Sequence, residues 1–169
     1  MDIMSDLTMR YAQIEDLPAI VEIYNSTIAG RMVTADTQPV TVESRLPWFH
    51  AHTNDLRPLW VGEIEGQICG WISFQSFYGR PAYLGTVEIS IYVSEQFRGQ
   101  GLGRRFLEFT ISACATLDVH TILGFIFGHN EPSLKLFEKY GFERWGHFPR
   151  VAVLDSVERD LVIVGKRVG

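Results

Sequence analysis

The chain is 169 residues long and 46% hydrophobic, with a formal net charge of −5. That length fits one domain, residues 1–169, with a full core, and the negative balance argues against a nucleic-acid surface. No apolar run approaches the roughly 20 residues needed to span a bilayer. The two cysteines, Cys69 and Cys114, lie far apart in apolar surroundings, which points to buried thiols in a reducing compartment rather than to a disulfide or a metal site.

Residues 1–6, MDIMSD, lack the basic region and apolar core of a secretory signal, so the expectation is a soluble cytoplasmic protein. Residues 7–12 read as a short strand and residues 15–26 as a helix, with Leu17, Ile20, Val21 and Tyr24 at helical spacing on its core face. Residues 28–41 show no sustained period and read as a loop. Thr41 can cap a second helix reaching about residue 53, although Pro47 interrupts its hydrogen-bond ladder. His50 and His52 are two apart and cannot share a helix face, so no metal pair is expected there. Apolar runs at 59–64 and 67–77 flank Glu65-Gly66 and predict a β-hairpin. The loop at 77–83, FYGRPAY, is rich in aromatic and basic side chains, a composition common in binding loops.

Alternation over residues 87–93 predicts a strand with Val87, Ile89, Ile91 and Val93 on a core face and Glu88, Ser90 and Tyr92 on the other. A carboxylate between valine and isoleucine is costly to bury unless paired, and burial raises its pKa. Glu88 is therefore either a satisfied structural ion pair or a general base. The strand runs into Arg98-Gly99-Gln100-Gly101-Leu102-Gly103, which opens a helix reaching about residue 118. Glycines that let the backbone approach a ligand, a helix N-terminus with unpaired N–H groups, and Arg98, Arg104 and Arg105 together describe a phosphate or pyrophosphate site. No Lys-Ser/Thr pair follows the glycines, which excludes a Walker loop, and the G-x-G-x-G spacing beyond mid-chain does not fit a dinucleotide fold.

A strand at 120–128 precedes a helix that Asn130 can cap, with Pro132 in its first turn and Gly141 at its end. Two more strands, about 143–154 and 158–168, meet at a turn around Asp155-Ser156. This order describes an α/β domain with a mixed sheet.

Two stretches carry a resemblance. Arg98-x-x-Gly101-x-Gly103 resembles the pyrophosphate loop of the GNAT family of N-acetyltransferases, and Asn130 to Phe142, NEPSLKLFEKYGF, resembles that family's second signature, N-x-x-S/A-x-x-L-Y-x-x-x-G-F. Residues 83–93 and 158–162 are similar to the phosphinothricin acetyltransferase branch, which acts on small amino-acid analogues such as phosphinothricin, methionine sulfoximine and methionine sulfone. The resemblance implies a mixed, mostly antiparallel sheet of about seven strands with helices on both faces. It implies acetyl-CoA as co-substrate, with no metal. Backbone groups of Ile91, Tyr92 and Val93 would pair with the pantetheine arm, and amides of Gly99, Gln100, Gly101, Leu102, Gly103 and Arg104 would hold the pyrophosphate beside Arg98. Asn130 and Ser133 would contact the CoA arm. Glu88 matches the branch's general base, and Arg80 and Tyr83 match positions that hold the substrate's acidic groups. A homodimer is also implied, with the 77–83 loop near its interface.

Three departures stand out. Phe137 occupies the place of a tyrosine or histidine that could act as general acid, and phenylalanine cannot donate a proton. Tyr78 stands where some relatives have a lysine, and Ala35 where phosphinothricin enzymes carry an aromatic. Two other readings remain open at this stage: an acetyltransferase for a protein N-terminus or lysine, and a non-catalytic acyl-CoA sensor.

Overall fold

A computed structural model describes residues 6–169; the reading of the N-terminal segment falls almost wholly on residues 1–5, outside the described residues. In chain order come β1 (Thr8–Tyr11), a 3-10 turn (Ile14–Asp16), α1 (Leu17–Ser26), α2 (Val42–His50), β2 (Leu59–Ile64), β3 (Gln67–Ser76), β4 (Thr86–Val93), α3 (Leu102–Ala113), β5 (Thr121–Phe127), α4 (Glu131–Lys139), β6 (Glu143–Leu154) and β7 (Val157–Arg167). The strands form one seven-stranded sheet in the order β1-β2-β3-β4-β5-β7-β6. Its pairing is antiparallel at β1/β2, β2/β3, β5/β7 and β6/β7, and parallel at β4/β5. This is the mixed, mostly antiparallel sheet that the sequence resemblance implies.

The chain divides into two compact units, each drawn from three separated stretches. The first takes the described residues up to Ser26, Val40–Gln75 and Ser90–Ala113; the second takes Thr27–Pro39, Ser76–Ile89 and Cys114–Gly169. β4 runs through both, passing from the second to the first after Ile89.

In the first unit, Leu17, Ile20, Val21 and Ile23 of α1 bury against Leu59, Val61 and Trp71, with Tyr24, Trp48, Phe49 and Tyr92 packed around them. The Trp71 indole donates to the Ile20 carbonyl (3.1 Å), which fixes α1 over that face of β3. On the other face Phe106 of α3 fills the space above Gly70, where an added Cβ would come within 2.5 Å of Phe106 and of the Tyr92 carbonyl. Helices thus cover both faces of this part of the sheet. The hairpin turn lies at Glu65-Gly66, both at positive φ (52° and 77°), as the sequence predicts.

Thr41 caps α2 by accepting from the Ser44 amide (3.1 Å), and α2 runs unbroken through Pro47 to His50. The proline removes one ladder bond without ending the helix, and Ala51 N–H still donates to its carbonyl (3.0 Å). α3 is shorter than the apolar spacing predicts. It ends at Ala113 and continues as a 3-10 turn over Cys114–Thr116, which keeps Leu117 buried until Asp118, at φ 53°, ends the run.

Arg10 ties the start of the first unit together. Its guanidinium grips Asp16 through both carboxylate oxygens (2.7 and 2.9 Å) and Glu63 through Oε1 (2.6 Å), and the Gln13 amide adds a third bond to Asp16 (2.7 Å). The Arg10 bond chiefly holds the buried Asp16 carboxyl below the usual aspartate range. A folded-state pKa below the unfolded one stabilises at pH values above the ordinary aspartate range, and the gain is lost as pH falls through the lowered value. We expect Asp16→Asn to cost about 1–3 kcal/mol in urea unfolding at pH 7. The difference from wild type should shrink below about pH 4; an equal cost at pH 7 and pH 3 would show that the charge on Asp16 is not what stabilises the fold.

Candidate active site

β4 carries the first part of the site. Its parallel ladder with β5 covers Thr86, Val87 and Glu88, opposite Thr121, Ile122 and Leu123, and the backbone of Ile91, Tyr92 and Val93 lies beyond that ladder. The expectation of one continuous core face needs correction here. Val87 and Ile89 are buried, but Ile91 and Val93 are only half-buried, because the strand has left its parallel partner by then.

Glu88 is half-buried, and desolvation raises its pKa above the ordinary glutamate value. Its carboxylate has no hydrogen-bond or ion-pair partner among the described residues. A structural ion pair is thereby removed from the two readings of this side chain. A half-buried carboxylate with a raised pKa and free lone pairs has the properties of a proton acceptor.

The glycine loop follows a 3-10 turn at Glu95–Phe97. Gly99 and Gly101 sit at φ 76° and 79°, in the left-handed region that glycine enters without strain. Arg105 N–H donates to the Gly101 carbonyl (3.2 Å), closing the first turn of α3. The amides of Leu102, Gly103 and Arg104 therefore have no partner within the helix. Those of Gly99, Gln100 and Gly101 donate no hydrogen bond among the described residues. Nothing lies within 4 Å of the position a Cβ on Gly99 would take, so the backbone there is open to a ligand. Arg98 and Arg104 make only loose contacts with Glu95 and Glu108, at 3.9 Å each, and all three arginines of the cluster are exposed. Six amides without a partner among the described residues, at the positive end of a helix, suit a pyrophosphate.

In the second unit Asn130 caps α4. Its Oδ1 accepts from the Ser133 amide (3.3 Å) while its Nδ2 donates to the Met32 carbonyl (3.1 Å), and the side chain is buried. Ser133 is half-buried in the first turn. Phe137 is core: it lies over Gly124 and meets Phe142 edge-on, with centroids 4.9 Å apart. It fills volume that a proton-donating side chain would otherwise occupy.

Arg80 precedes a 3-10 turn at Pro81–Tyr83 and is exposed; its carbonyl accepts from the Tyr83 amide (2.9 Å), and its guanidinium has no partner among the described residues. Tyr83 is 41% exposed and stands edge-on to Phe77 at 5.5 Å. The first unit adds an aromatic group that sequence reading missed. Tyr92 stacks on Trp71 (4.5 Å, 21°), Trp71 meets Trp48 edge-on (5.4 Å), and the Arg45 guanidinium lies 4.8 Å from the Tyr24 ring centroid. Trp48, Trp71 and Tyr92 come from three different elements, and only the placement of Ser90 and Tyr92 on the Glu88 face of β4 was visible in the chain. Both cysteines are buried, and desolvation pushes each thiol up to about 11, which removes them as nucleophiles near neutral pH. Among the described residues no helix is long and apolar enough to cross a membrane, and no group of three or more His, Cys, Asp or Glu is arranged to hold a metal ion.

Residues 18–142 match the model of the acetyltransferase (GNAT) family. The chain belongs to this family. The acetyltransferase is 53% identical over 161 residues to the Bacillus subtilis protein named "Putative phosphinothricin acetyltransferase YwnH", covering 95% of this chain and 98% of YwnH. It is 31% identical over 145 residues to the L-methionine sulfoximine/L-methionine sulfone acetyltransferase of Pseudomonas paraeruginosa, covering 85% of this chain and 84% of that one. The crystal structure of a GNAT superfamily phosphinothricin acetyltransferase from Sinorhizobium meliloti in complex with AcCoA superposes with a TM-score of 0.90 at 27% identity, covering 97% of this chain and 89% of that one. The acetyltransferase thus shares its fold along nearly its whole length with that phosphinothricin acetyltransferase.

Proposed function

We propose that this acetyltransferase moves the acetyl group of acetyl-CoA to the α-amine of a small amino-acid analogue of the phosphinothricin, methionine sulfoximine or methionine sulfone type, with Glu88 as general base. The observation that carries the reading is the unpaired, half-buried Glu88 carboxylate on the same strand as the Ile91, Tyr92 and Val93 backbone. Three residues of extended chain, about 10 Å, separate Glu88 from Ile91.

The residues present fit the co-substrate. Amides of Gly99, Gln100, Gly101, Leu102, Gly103 and Arg104, flanked by Arg98, hold the pyrophosphate. The backbone of Ile91, Tyr92 and Val93 pairs with the pantetheine arm, and Asn130 and Ser133 contact that arm from α4. Bound acetyl-CoA supplies an acetyl thioester, which a neutral amine can attack directly. Glu88 takes the proton that an α-ammonium must lose before it becomes a nucleophile, directly or through one water. A β4 backbone N–H faces the negative charge that develops on the attacked carbonyl oxygen. Protonation of the departing thiolate falls to solvent, because Phe137 is packed into the core.

Arg80 has an exposed, unpartnered guanidinium that can grip a carboxylate or phosphinate oxygen pair, and Tyr83, three residues further on, adds a hydroxyl. The whole chain acts as one acetyltransferase domain in the cytoplasm, its free buried thiols suiting a reducing compartment, and it works as a homodimer with the 77–83 loop near the interface. The test is release of CoA thiol from acetyl-CoA against phosphinothricin, methionine sulfoximine, methionine sulfone, ordinary amino acids, a polyamine and a short peptide. Turnover confined to the first three supports the reading. Turnover with the peptide alone would move the enzyme to protein N-termini, and tight acetyl-CoA binding without any turnover would make it a sensor.

A further inference from the structure

Thr27–Pro39, in the second unit, has no regular secondary structure, yet Thr27, Ile28 and Thr34 are buried and the backbone is held at several points. His129 bonds the Arg31 carbonyl through Nε2 (2.7 Å), and Asn130 donates to the Met32 carbonyl (3.1 Å). Arg31 reaches Asp155 through Nε (3.0 Å) and returns a bond to the Ile28 carbonyl (2.9 Å). Arg31 itself stands at φ 54°, an uncommon conformation for a side-chain-bearing residue that the surroundings must enforce. A carbonyl oxygen can only accept, so the proton of this His129 pair sits on Nε2. The two bonds to neighbouring carbonyls come from the two residues immediately before α4.

We propose that His129 is a positioning residue: together with the Asn130 amide it locks the 27–39 segment to the start of α4, so that the segment carrying Ala35 and the helix start that contacts the CoA arm are held as one wall. The consequence for catalysis rests on the function proposed above and on Ala35, in this segment, standing where the resembled phosphinothricin enzymes carry an aromatic side chain. Loss of the His129 bond should free the segment and weaken the amine, while the acetyl-CoA contacts, made by other groups, persist.

His129→Phe isolates this bond. Phenylalanine keeps the ring that stacks on Phe127 (5.5 Å, 23°), and His129 Nδ1 is buried with no partner, so the substitution removes one hydrogen bond and leaves no other polar group orphaned on the ring. In the full-length enzyme, backbone amides of residues 27–39 should exchange hydrogen a few-fold to about tenfold faster, matching one lost hydrogen bond. The KM of the amine should rise by the same factor, with kcat and the acetyl-CoA Kd within about twofold of wild type. His129→Gln, whose side-chain amide reaches about as far as Nε2, should restore both. Unchanged exchange over 27–39 in His129→Phe, equal losses in kcat and acetyl-CoA affinity, or failure of Gln to restore would each overturn the proposal. Should no amine in the panel be turned over, the exchange measurement still decides it, so failure of the lock and failure of the assigned activity are told apart.

Discussion

Replacing Glu88 by glutamine is expected to lower kcat/KM for the amine by about 10²–10⁴-fold, the range for loss of a general base, while the acetyl-CoA Kd stays within about twofold. The substitution is nearly isosteric, and no ion pair or hydrogen bond of the chain is broken, since the carboxylate has none among the described residues. Fold stability should therefore change little or rise, because a desolvated charge is removed. The pH dependence carries the more specific signature. Desolvation raises the Glu88 pKa, so the wild-type rate should fall on the acid side at a pH above the ordinary glutamate range, as the base becomes protonated. In the glutamine variant that limb disappears. The rate then follows the fraction of amine already deprotonated, rising about tenfold per pH unit below the amine's own pKa. An unchanged profile would remove Glu88 from the proton transfer.

Gly101→Val is expected to weaken acetyl-CoA by about 100-fold. At φ 79° a β-branched side chain is strained by about 1–3 kcal/mol, and relief of that strain would displace the Gly99 to Arg104 amides that we propose hold the pyrophosphate. Gly66→Val provides the control. Gly66 shares the positive φ (77°) but lies in the β2–β3 hairpin turn, so it should show a similar loss of stability with the acetyl-CoA Kd unmoved. Equal weakening in both variants, read by titration calorimetry, would mean that the effect at Gly101 is loss of fold and not loss of a binding loop.

Much of the fold was legible because it rests on local signals. Paired turn residues at Glu65-Gly66 and Asp155-Ser156, the Thr41 and Asn130 caps, and alternation along β4 each state their structure within a few residues. The glycine loop was legible for the same reason, since its chemistry is backbone chemistry. Features that failed to show depend on long-range packing. Apolar spacing continues past Ala113 whether the helix is α or 3-10, so the end of α3 could not be read. Burial of Ile91 and Val93 is set by where β4 leaves its partner strand, which alternation does not encode. The two readings of Glu88 were separable only once every neighbouring donor and cation was placed. His129 and Arg31 are 98 residues apart, and the bond between them runs to a backbone carbonyl that no side-chain pattern announces.

The measurement that bears most directly on the central claim is product analysis with methionine sulfone and acetyl-CoA labelled with ¹³C at the acetyl carbonyl. Wild-type enzyme is expected to give a single product in which NMR correlates the labelled carbonyl with the α-C–H through the α-nitrogen, and Glu88→Gln should form it far more slowly at the same acetyl-CoA occupancy. Absence of that product above the uncatalysed level, with acetyl-CoA bound and the glycine loop intact, would contradict the account.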